Sequence, residues 1–314
     1  MKTIYKYIAA LIFPISLTSC KQKSNSKVLD NIWVEEDNKS FKYSSIENTD
    51  GSDRVDDNTK FTRNERPNEF GYGKTSIRQG NKYTEQIMDI NRKPLLPASI
   101  EFLVKTIQGH KALVEMSEGF VFIDLHEKID ETYLKNQIHY DFAYPYSCGL
   151  ALVDLNEKSF FIDEKGKRVF DTNFEFAESF YEGTALVKNV NKYFIINTKG
   201  EKIADVNYDQ ISPYSPKVWQ VINIKKETYK SGFIDRTGRQ VSEIIYDEVY
   251  YSEEWHRGWV RIKNKFGFLD EYGQVIIPIK YDAAEIFNNQ GQAFVKLGDR
   301  EFYINVSGKE EEEK

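Results

Sequence analysis

The sequence predicts an all-β fold, a tandem array of ~35-residue units of short antiparallel strands, and three observations predict it. The first is a hydrophobic pair followed by Asp or Asn. It returns as Ile87-Met88-Asp89, Phe122-Ile123-Asp124, Phe161-Ile162-Asp163, Ile195-Ile196-Asn197, Phe233-Ile234-Asp235, Phe268-Leu269-Asp270 and Tyr303-Ile304-Asn305. From one Asp or Asn to the next the steps are 35, 39, 34, 38, 35 and 35 residues. A period in that range marks a modular array whose units bury their apolar faces against their neighbours. The second observation is composition: segments of four to six residues rich in β-branched and aromatic side chains, separated by polar turns. The third is turn chemistry. Gly follows the Asp or Asn by three residues at Gly166, Gly200, Gly238, Gly273 and Gly308.

Each element of the unit has a local reason. The unit opens on an aromatic-acid pair, seen as Tyr140-Asp141, Phe174-Glu175, Tyr208-Asp209, Tyr246-Asp247 and Tyr281-Asp282. A Gly-x-Ala-x-Val segment follows, clearest at Gly149 to Val153 and Gly183 to Val187. One face of that strand carries Ala151 and Val153, Ala185 and Val187, Ala293 and Val295. The other is mixed, with Leu150, Leu152, Thr184, Leu186, Trp259, Arg261, Gln292 and Phe294. A sheet with one solvated face would alternate more cleanly, so both faces are expected to be covered in part by adjacent units. The Phe-Ile-Asp strand comes next. Its Asp or Asn is placed to accept a backbone N–H two residues on, and the Gly supplies the positive φ that closes the turn. At Asp124 the Gly is replaced by Glu127, which predicts a different turn. A return segment such as Val275-Ile276-Ile277-Pro278 completes four strands.

Tandem four-strand units either close into a propeller-like ring or stack as an open β-solenoid. The final unit stops near its Asn305 hairpin and the first lacks a clear beginning. That complementarity favours the ring, and the open solenoid is the alternative.

The pattern resembles the bacterial WG-repeat family, also called KWG repeats. The resemblance covers roughly residues 70 to 308 and rests chiefly on two copies. One runs from Lys265-Phe266-Gly267-Phe268-Leu269-Asp270 through Gly273 to Pro278 and Tyr281-Asp282; the other is Ser231-Gly232-Phe233-Ile234-Asp235-Arg236-Thr237-Gly238. The departure is at the dipeptide that names the family, since Phe266-Gly267 and Ser231-Gly232 stand in place of Trp-Gly. Members are described as β-repeat proteins without a common activity, so the resemblance implies a fold and no mechanism.

The first residues carry a different signal. Lys2 and Lys6 precede a short apolar run to Leu17, interrupted by Pro14 and closed by Leu17-Thr18-Ser19-Cys20. This reads as a secretory leader over residues 1–19, too short for an ordinary membrane span. Its end resembles a lipobox, which implies lipidation at Cys20 and a bacterial cell-envelope location. Lys21, where an Asp would signal inner-membrane retention, points to the outer membrane. Residues 20–69 are rich in Ser, Asn, Asp, Lys and Glu and read as a tether, with candidate strands at residues 32–34 and 41–44. The array is assigned to residues 70–308 and an acidic, solvated tail to residues 309–314. Cys148, the only other cysteine, is expected to be an unpaired, buried small hydrophobe.

Loss of Lys2 and Lys6 with the leader takes the formal charge from −6 to −8, with no basic stripe, which excludes nucleic acid as the expected partner. The repeat-spaced Asp and Asn residues read as turn caps rather than as a catalytic or metal series. Asp50-Gly51-Ser52-Asp53 with Asp56-Asp57 lacks the distal Glu of a calcium loop. His110, His126, His139 and His256 stand 16, 13 and 117 residues apart, without paired ligand spacing. No phosphate loop, dinucleotide fingerprint or nucleophile elbow occurs. No cofactor, metal or enzymatic activity is expected.

The candidate binding residues are those that break the repeat. Tyr250 to Trp259 is dense in aromatics, and in an extended strand Trp255, Arg257 and Trp259 would share one face. Tyr251 belongs to the same stretch. A second irregular stretch, Ile211 to Trp219 with Pro213 and Pro216, reads as an exposed loop bearing Trp219. Aromatics with an Arg suit either a protein hot spot or stacked sugar rings, and both compete with packing between units. The expected function is a lipid-anchored, non-catalytic interaction module for an envelope protein. A carbohydrate-binding surface lipoprotein is the alternative.

Overall fold

The computed structural model describes residues 60–64, 67–79, 82–225 and 228–312. The expected leader, Cys20, the candidate strands at residues 32–34 and 41–44 and the acidic patch at residues 50–57 lie outside them. Among the described residues, seven small antiparallel sheets follow one another along the chain. Sheet I holds β1 (Lys60–Asn64), β2 (Gly73–Gln79) and β3 (Lys82–Met88); sheet II holds β4 (Leu103–Gln108), β5 (Lys111–Met116) and β6 (Gly119–Asp124). Sheet III holds β7 (Phe142–Ala143), β8 (Leu150–Leu155) and β9 (Lys158–Asp163). Sheet IV has four strands, β10 (Phe176–Ala177), β11 (Thr184–Asn189), β12 (Lys192–Asn197) and β13 (Lys202–Val206). Sheet V holds β14 (Gln210–Pro213), β15 (Val218–Lys225) and β16 (Thr228–Asp235). Sheet VI comprises β17 (Glu248–Val249), β18 (Arg257–Ile262), β19 (Lys265–Asp270) and β20 (Val275–Tyr281). Sheet VII comprises β21 (Ala283–Ala284), β22 (Gln292–Leu297), β23 (Arg300–Asn305) and β24 (Glu310–Glu311). In sheets III and V the fourth strand shrinks to single bridges, Ile162 with Arg168 and Ile234 with Gln240.

The chain forms two compact units, one ending at Phe174 and one beginning at Glu175. In each, the cores lie between successive sheets. In the first unit Ile87, Val104, Ala112, Val114, Val121 and Ile123 fill the space between sheets I and II, and Leu113, Tyr140, Ala151, Val153 and Ile162 that between II and III. In the second, Leu186, Ile195, Trp219, Val221 and Ile234 join IV to V. Tyr214, Phe233, Val260 and Leu269 join V to VI; Phe268, Ile277, Ala293, Val295 and Ile304 join VI to VII. Ala112 and Val114 face the sheet before, while Leu113 faces the sheet after. Both faces of the strand are therefore covered, as its mixed alternation implies. Each fully buried aliphatic side chain contributes roughly 1.5–3 kcal/mol.

Polar side chains hold the turns. Asp163 Oδ1 accepts from the amides of Lys165 and Lys167, both at 2.9 Å, and Asp270 Oδ1 does the same with Tyr272 and Gln274. The glycines that follow take positive φ, 74° at Gly166 and 72° at Gly273. Gly273 has a second reason to be glycine: a Cβ there would lie 2.8 Å from the Phe233 ring of the preceding sheet. The Asp124 turn differs, as Glu127 foretells. Among the turn amides His126 N donates to Asp124 Oδ1, and the Asp124 amide itself donates to the Tyr133 hydroxyl oxygen at 2.9 Å. Tyr133 belongs to α1 (Glu131–Lys135), capped by Asp130 Oδ1, which accepts from Tyr133 N, and seated by buried Leu134.

The unequal steps of the repeat have structural causes. Thr184 pairs with Asn197 and Arg257 with Asp270, 13 residues apart, but Val218 pairs with Asp235, 17 apart. The β15–β16 hairpin is longer by four residues, which accounts for the step of 38. The step of 39 arises between Asp124 and Leu150, where α1 is inserted.

Three expectations are corrected. Lys60–Asn64 forms β1, inside the span assigned to the tether. Glu310–Glu311 is a strand rather than a solvated tail: backbone pairing to Tyr303 and Ile304 needs no apolar side chain, and Arg300 pairs with Glu310 at 2.6 Å. Cys148 is half-buried and disulfide-bonded rather than unpaired.

Candidate binding surface

Because the strands of each sheet run up and down, every sheet has two ends. One carries the loop into the long strand and the Asp-x-x-Gly turn; it is the loop end. The other carries the β-hairpins. Arg236 Nη2 in the turn of sheet V donates to Thr184 O at the start of β11, and Ser215 Oγ of sheet V donates to Glu271 O of sheet VI. Loop ends therefore meet loop ends from IV to VI, and hairpin ends share the opposite side.

The aromatic-acid pairs act at the hairpin end, a role not legible from spacing. Asp141 Oδ2 accepts from Asn156 N, Glu175 Oε2 from Asn191 N, Asp209 Oδ2 from Ile224 N and Asp282 Oδ2 from Gly298 N. Each acid thus ties a unit's entry to its own hairpin, and its preceding aromatic ring is buried or half-buried.

Trp219 is not in an exposed loop. It lies in β15, 1% exposed, facing sheet IV. Its register position is held by Ala151, Ala185 and Ala293 in other units and by Gly258 in sheet VI. The indole instead fills the space between sheets and donates from Nε1 to Glu178 Oε2 at 2.7 Å. Arg236 Cζ lies 3.9 Å from the ring centroid, and its Nη1 stands 3.6 Å from Glu178 Oε2. Burial pushes the Glu178 carboxyl up, with Arg236 and the Trp219 N–H opposing; burial likewise pushes Arg236 down, with Glu178 opposing. Nearby, Lys217 Nζ binds Glu182 Oε1 at 2.6 Å. The Glu178–Arg236 pair was missed in the sequence because its partners are 58 positions apart. Its chemistry is that of an inter-sheet clamp.

Trp255, Arg257 and Trp259 do not share a strand face. Residues 253–256 form a turn and β18 starts at Arg257. Trp255 and Trp259 both pack, half-buried, on the core between sheets VI and VII. Trp255 lies against Gly291, where a Cβ would be 3.2 Å from the ring. Its Nε1 and the Nε of Arg257 are buried without a hydrogen-bond partner among the described residues. Tyr251 packs on the core between V and VI, 4.7 Å from the Tyr214 ring, and burial beside Glu271 and Glu253 raises its hydroxyl. What reaches solvent is the rim. Tyr250 is 42% exposed and stacks near-parallel on Trp259, 18° between planes, while His256 Nδ1 stands 3.6 Å from Glu271 Oε2. Tyr250 and His256 are thus the accessible members of the cluster.

In the first unit a groove of about 250 Å³ is lined by Asn68, Tyr72, Lys74, Val104, Lys105 and Thr106. Lys74 and the Val104 amide, both of that lining, engage the buried acid Glu85 together with Tyr83.

The family model described as "WG containing repeat" matches residues 137–158, 160–193, 193–215, 232–266 and 266–300. The chain is thus similar to WG repeats at five positions. The five matched segments fall on sheets III to VII, and the hairpin and turn bonds above are the physical content of the repeat. The glycine of the Trp-Gly dipeptide is kept at Gly267 because a Cβ there would lie 2.7 Å from Ile277 O, a close strand approach. No curated protein matches the sequence. Similar solved structures include a eukaryotic initiation factor (10% identity, 76% of this chain and 72% of that one, TM-score 0.41). Others are Hsv2p of Kluyveromyces lactis (8%, 66% and 74%, 0.35) and the WD40 β-propeller domain of Doa1 (11%, 74% and 85%, 0.31).

Proposed function

We propose that this WG-like repeat chain is a lipid-anchored cell-envelope protein that docks another envelope protein, without catalysis, through the loop end of sheets V to VII. The observation that carries the reading is the loop before β18. There Tyr250, Tyr251, Trp255 and His256 decorate a backbone frame that the other units repeat with different side chains. A constant frame with variable loops suits recognition. Cross-linking in cells followed by capture and mass spectrometry tests it. One envelope protein should be enriched, and Tyr250→Ala with His256→Ala should weaken that enrichment. These rim residues are better probes than Trp255→Ala or Trp259→Ala, which also open the core between VI and VII. Repeated capture of no protein would overturn the reading.

A carbohydrate ligand is the second reading, favoured by the exposed Tyr250 ring lying parallel on Trp259. Polysaccharide gel-shift that Tyr250→Ala abolishes would support it.

The anchor is proposed at Cys20, and an outer-membrane site follows from Lys21. Intact mass of the mature protein tests it: an added diacylglyceryl mass supports the anchor, and a mature chain without that mass refutes it.

A further inference from the structure

His256 is the one histidine that follows His139 in the chain, and it stands on the docking rim. Residues 253–256 form a turn in which the His256 amide donates to Glu253 O at 3.3 Å. His256 takes φ 49°, in the left-handed region where His is among the enriched residues. Its side chain is 60% exposed.

Two oxygens stand just short of its ring. His256 Nδ1 is 3.6 Å from Glu271 Oε2 and 3.5 Å from the Tyr251 hydroxyl oxygen. A charge-assisted bond from an imidazolium to a carboxylate closes to about 2.7–2.9 Å, so the pair with Glu271 is poised rather than made. Glu271 itself is anchored. Its carbonyl accepts from Ser215 Oγ of sheet V, and the carbonyl of Asp270 accepts from the Tyr214 hydroxyl at 3.4 Å. A bond from His256 to Glu271 therefore ties the loop before β18 to a turn already fastened to the neighbouring sheet.

The surrounding charges favour that bond. The loop brings Glu253, Glu254 and Arg257. Burial raises the Glu253 carboxyl, with His256 opposing, and Arg257 Nη1 donates to the His256 carbonyl. From sheet V come Tyr214, whose ring is 4.7 Å from that of Tyr251, and Lys217, which is engaged by Glu182. Carboxylates thus outnumber unengaged cations around the imidazole. Histidine is the side chain whose charge changes between about pH 5 and 8.

We propose that His256 and Glu271 form a protonation-controlled latch, which fixes the docking rim as pH falls below neutral and releases it above. The imidazolium closes on Glu271 Oε2 and holds the loop that carries Tyr250, Tyr251 and Trp255 in one conformation. Ordering the loop beforehand lessens the entropy lost on docking, so the rim binds a partner more tightly at about pH 6 than at about pH 8. The proposal rests on the docking reading for what the latch controls, but the latch itself is read without a partner.

Proton NMR of the mature chain follows the four histidine rings through a pH titration, and His256→Gln assigns the signal. In Glu271→Gln the proton affinity of the His256 ring should fall about threefold. Glu254→Gln removes the same charge from an exposed neighbour and should move the ring less. An unmoved His256 titration in Glu271→Gln would overturn the latch, and so would an equal movement in Glu254→Gln. The docking reading stands or falls separately. Capture of no envelope protein at either pH, with the NMR difference intact, would sink docking and leave the latch. A partner held more tightly at the lower pH by the parent, and equally at both by Glu271→Gln, would support the proposal. A partner held equally at both by the parent would overturn the latch's control of docking.

Discussion

Gly273→Ala tests the claim that the Asp-x-x-Gly turn also holds one sheet to the next. Two costs add at this residue. Its φ of 72° is left-handed, which for Ala costs about 1–2 kcal/mol. The new Cβ would also stand 2.8 and 2.9 Å from Cγ and Cδ2 of Phe233, a ring 0% exposed and itself packed 4.6 Å from Tyr214. That ring has nowhere to go, so overpacking adds about 1–3 kcal/mol. The sum is about 2–5 kcal/mol. Gly298 supplies the control within the same unit: φ is 63° and nothing lies within 4 Å of its Cβ position, so Gly298→Ala costs only the backbone share, about 1–2 kcal/mol. Denaturant unfolding followed by tryptophan fluorescence reads both variants, because Trp219, Trp255 and Trp259 all lie in the second unit. Equal losses for the two variants would refute the inter-sheet role of the turn.

Trp219→Phe keeps a ring in the space between sheets IV and V but removes the donor to Glu178, leaving a buried carboxylate short of a partner. About 2–3 kcal/mol of stability should be lost in the same unfolding assay. Acid should destabilise the turns. At Asp235 partial burial raises the carboxyl, but hydrogen bonds from Thr237 and Arg239 outweigh it, so its folded value lies below the usual 3.8. Asp124 is likewise lowered, with Lys111 and the His126 amide outweighing burial. A depressed carboxylate stabilises the fold above its unfolded value, and that contribution is lost as pH falls through the folded one. The thermal midpoint should therefore drop below about pH 4, less steeply in Asp235→Asn. Glu178 runs the other way, its contribution being lost as pH rises through its elevated folded value. Small-angle scattering of residues 70–314 tests the ring expected from the sequence, which requires compact scattering; a rod would favour the open solenoid.

What was legible in the sequence was what folds locally. Asp235 and Gly238 act within one turn, so spacing alone reveals both cap and glycine. The caps at Asp141 and Asp209 were not legible, because each receives its amide 15 residues onward, once strand register is set. Trp219 was misread for the same reason. Pro213 and Pro216 look like loop, yet the side that β15 presents to sheet IV decides its burial. Only alignment by register shows that Trp219 stands where other units have Ala or Gly. Glu310 and Glu311 misled in the opposite sense, since strand pairing recruits backbone and tolerates acids at an edge.

The inter-sheet clamp and the proposed latch both respond to pH, and they occupy different places in the second unit. Glu178 and Arg236 join sheets IV and V, whereas His256 and Glu271 lie within sheet VI. Side chains that share no partner should be additive in free energy. A melting curve alone confounds the two. The Glu178 contribution is lost as pH rises, and so is that of a histidine that gains a carboxylate partner. Magnitude and locality separate them. The clamp is buried and the whole fold feels its loss, while an exposed ion pair is worth at most about 1 kcal/mol. Trp219→Phe should therefore lower stability while the His256 ring titrates as in the parent. Glu271→Gln should move that titration with stability held to within about 1 kcal/mol. Movement of both readouts by either substitution would show one coupled loop end, and the separation of a structural clamp from a docking latch would be wrong.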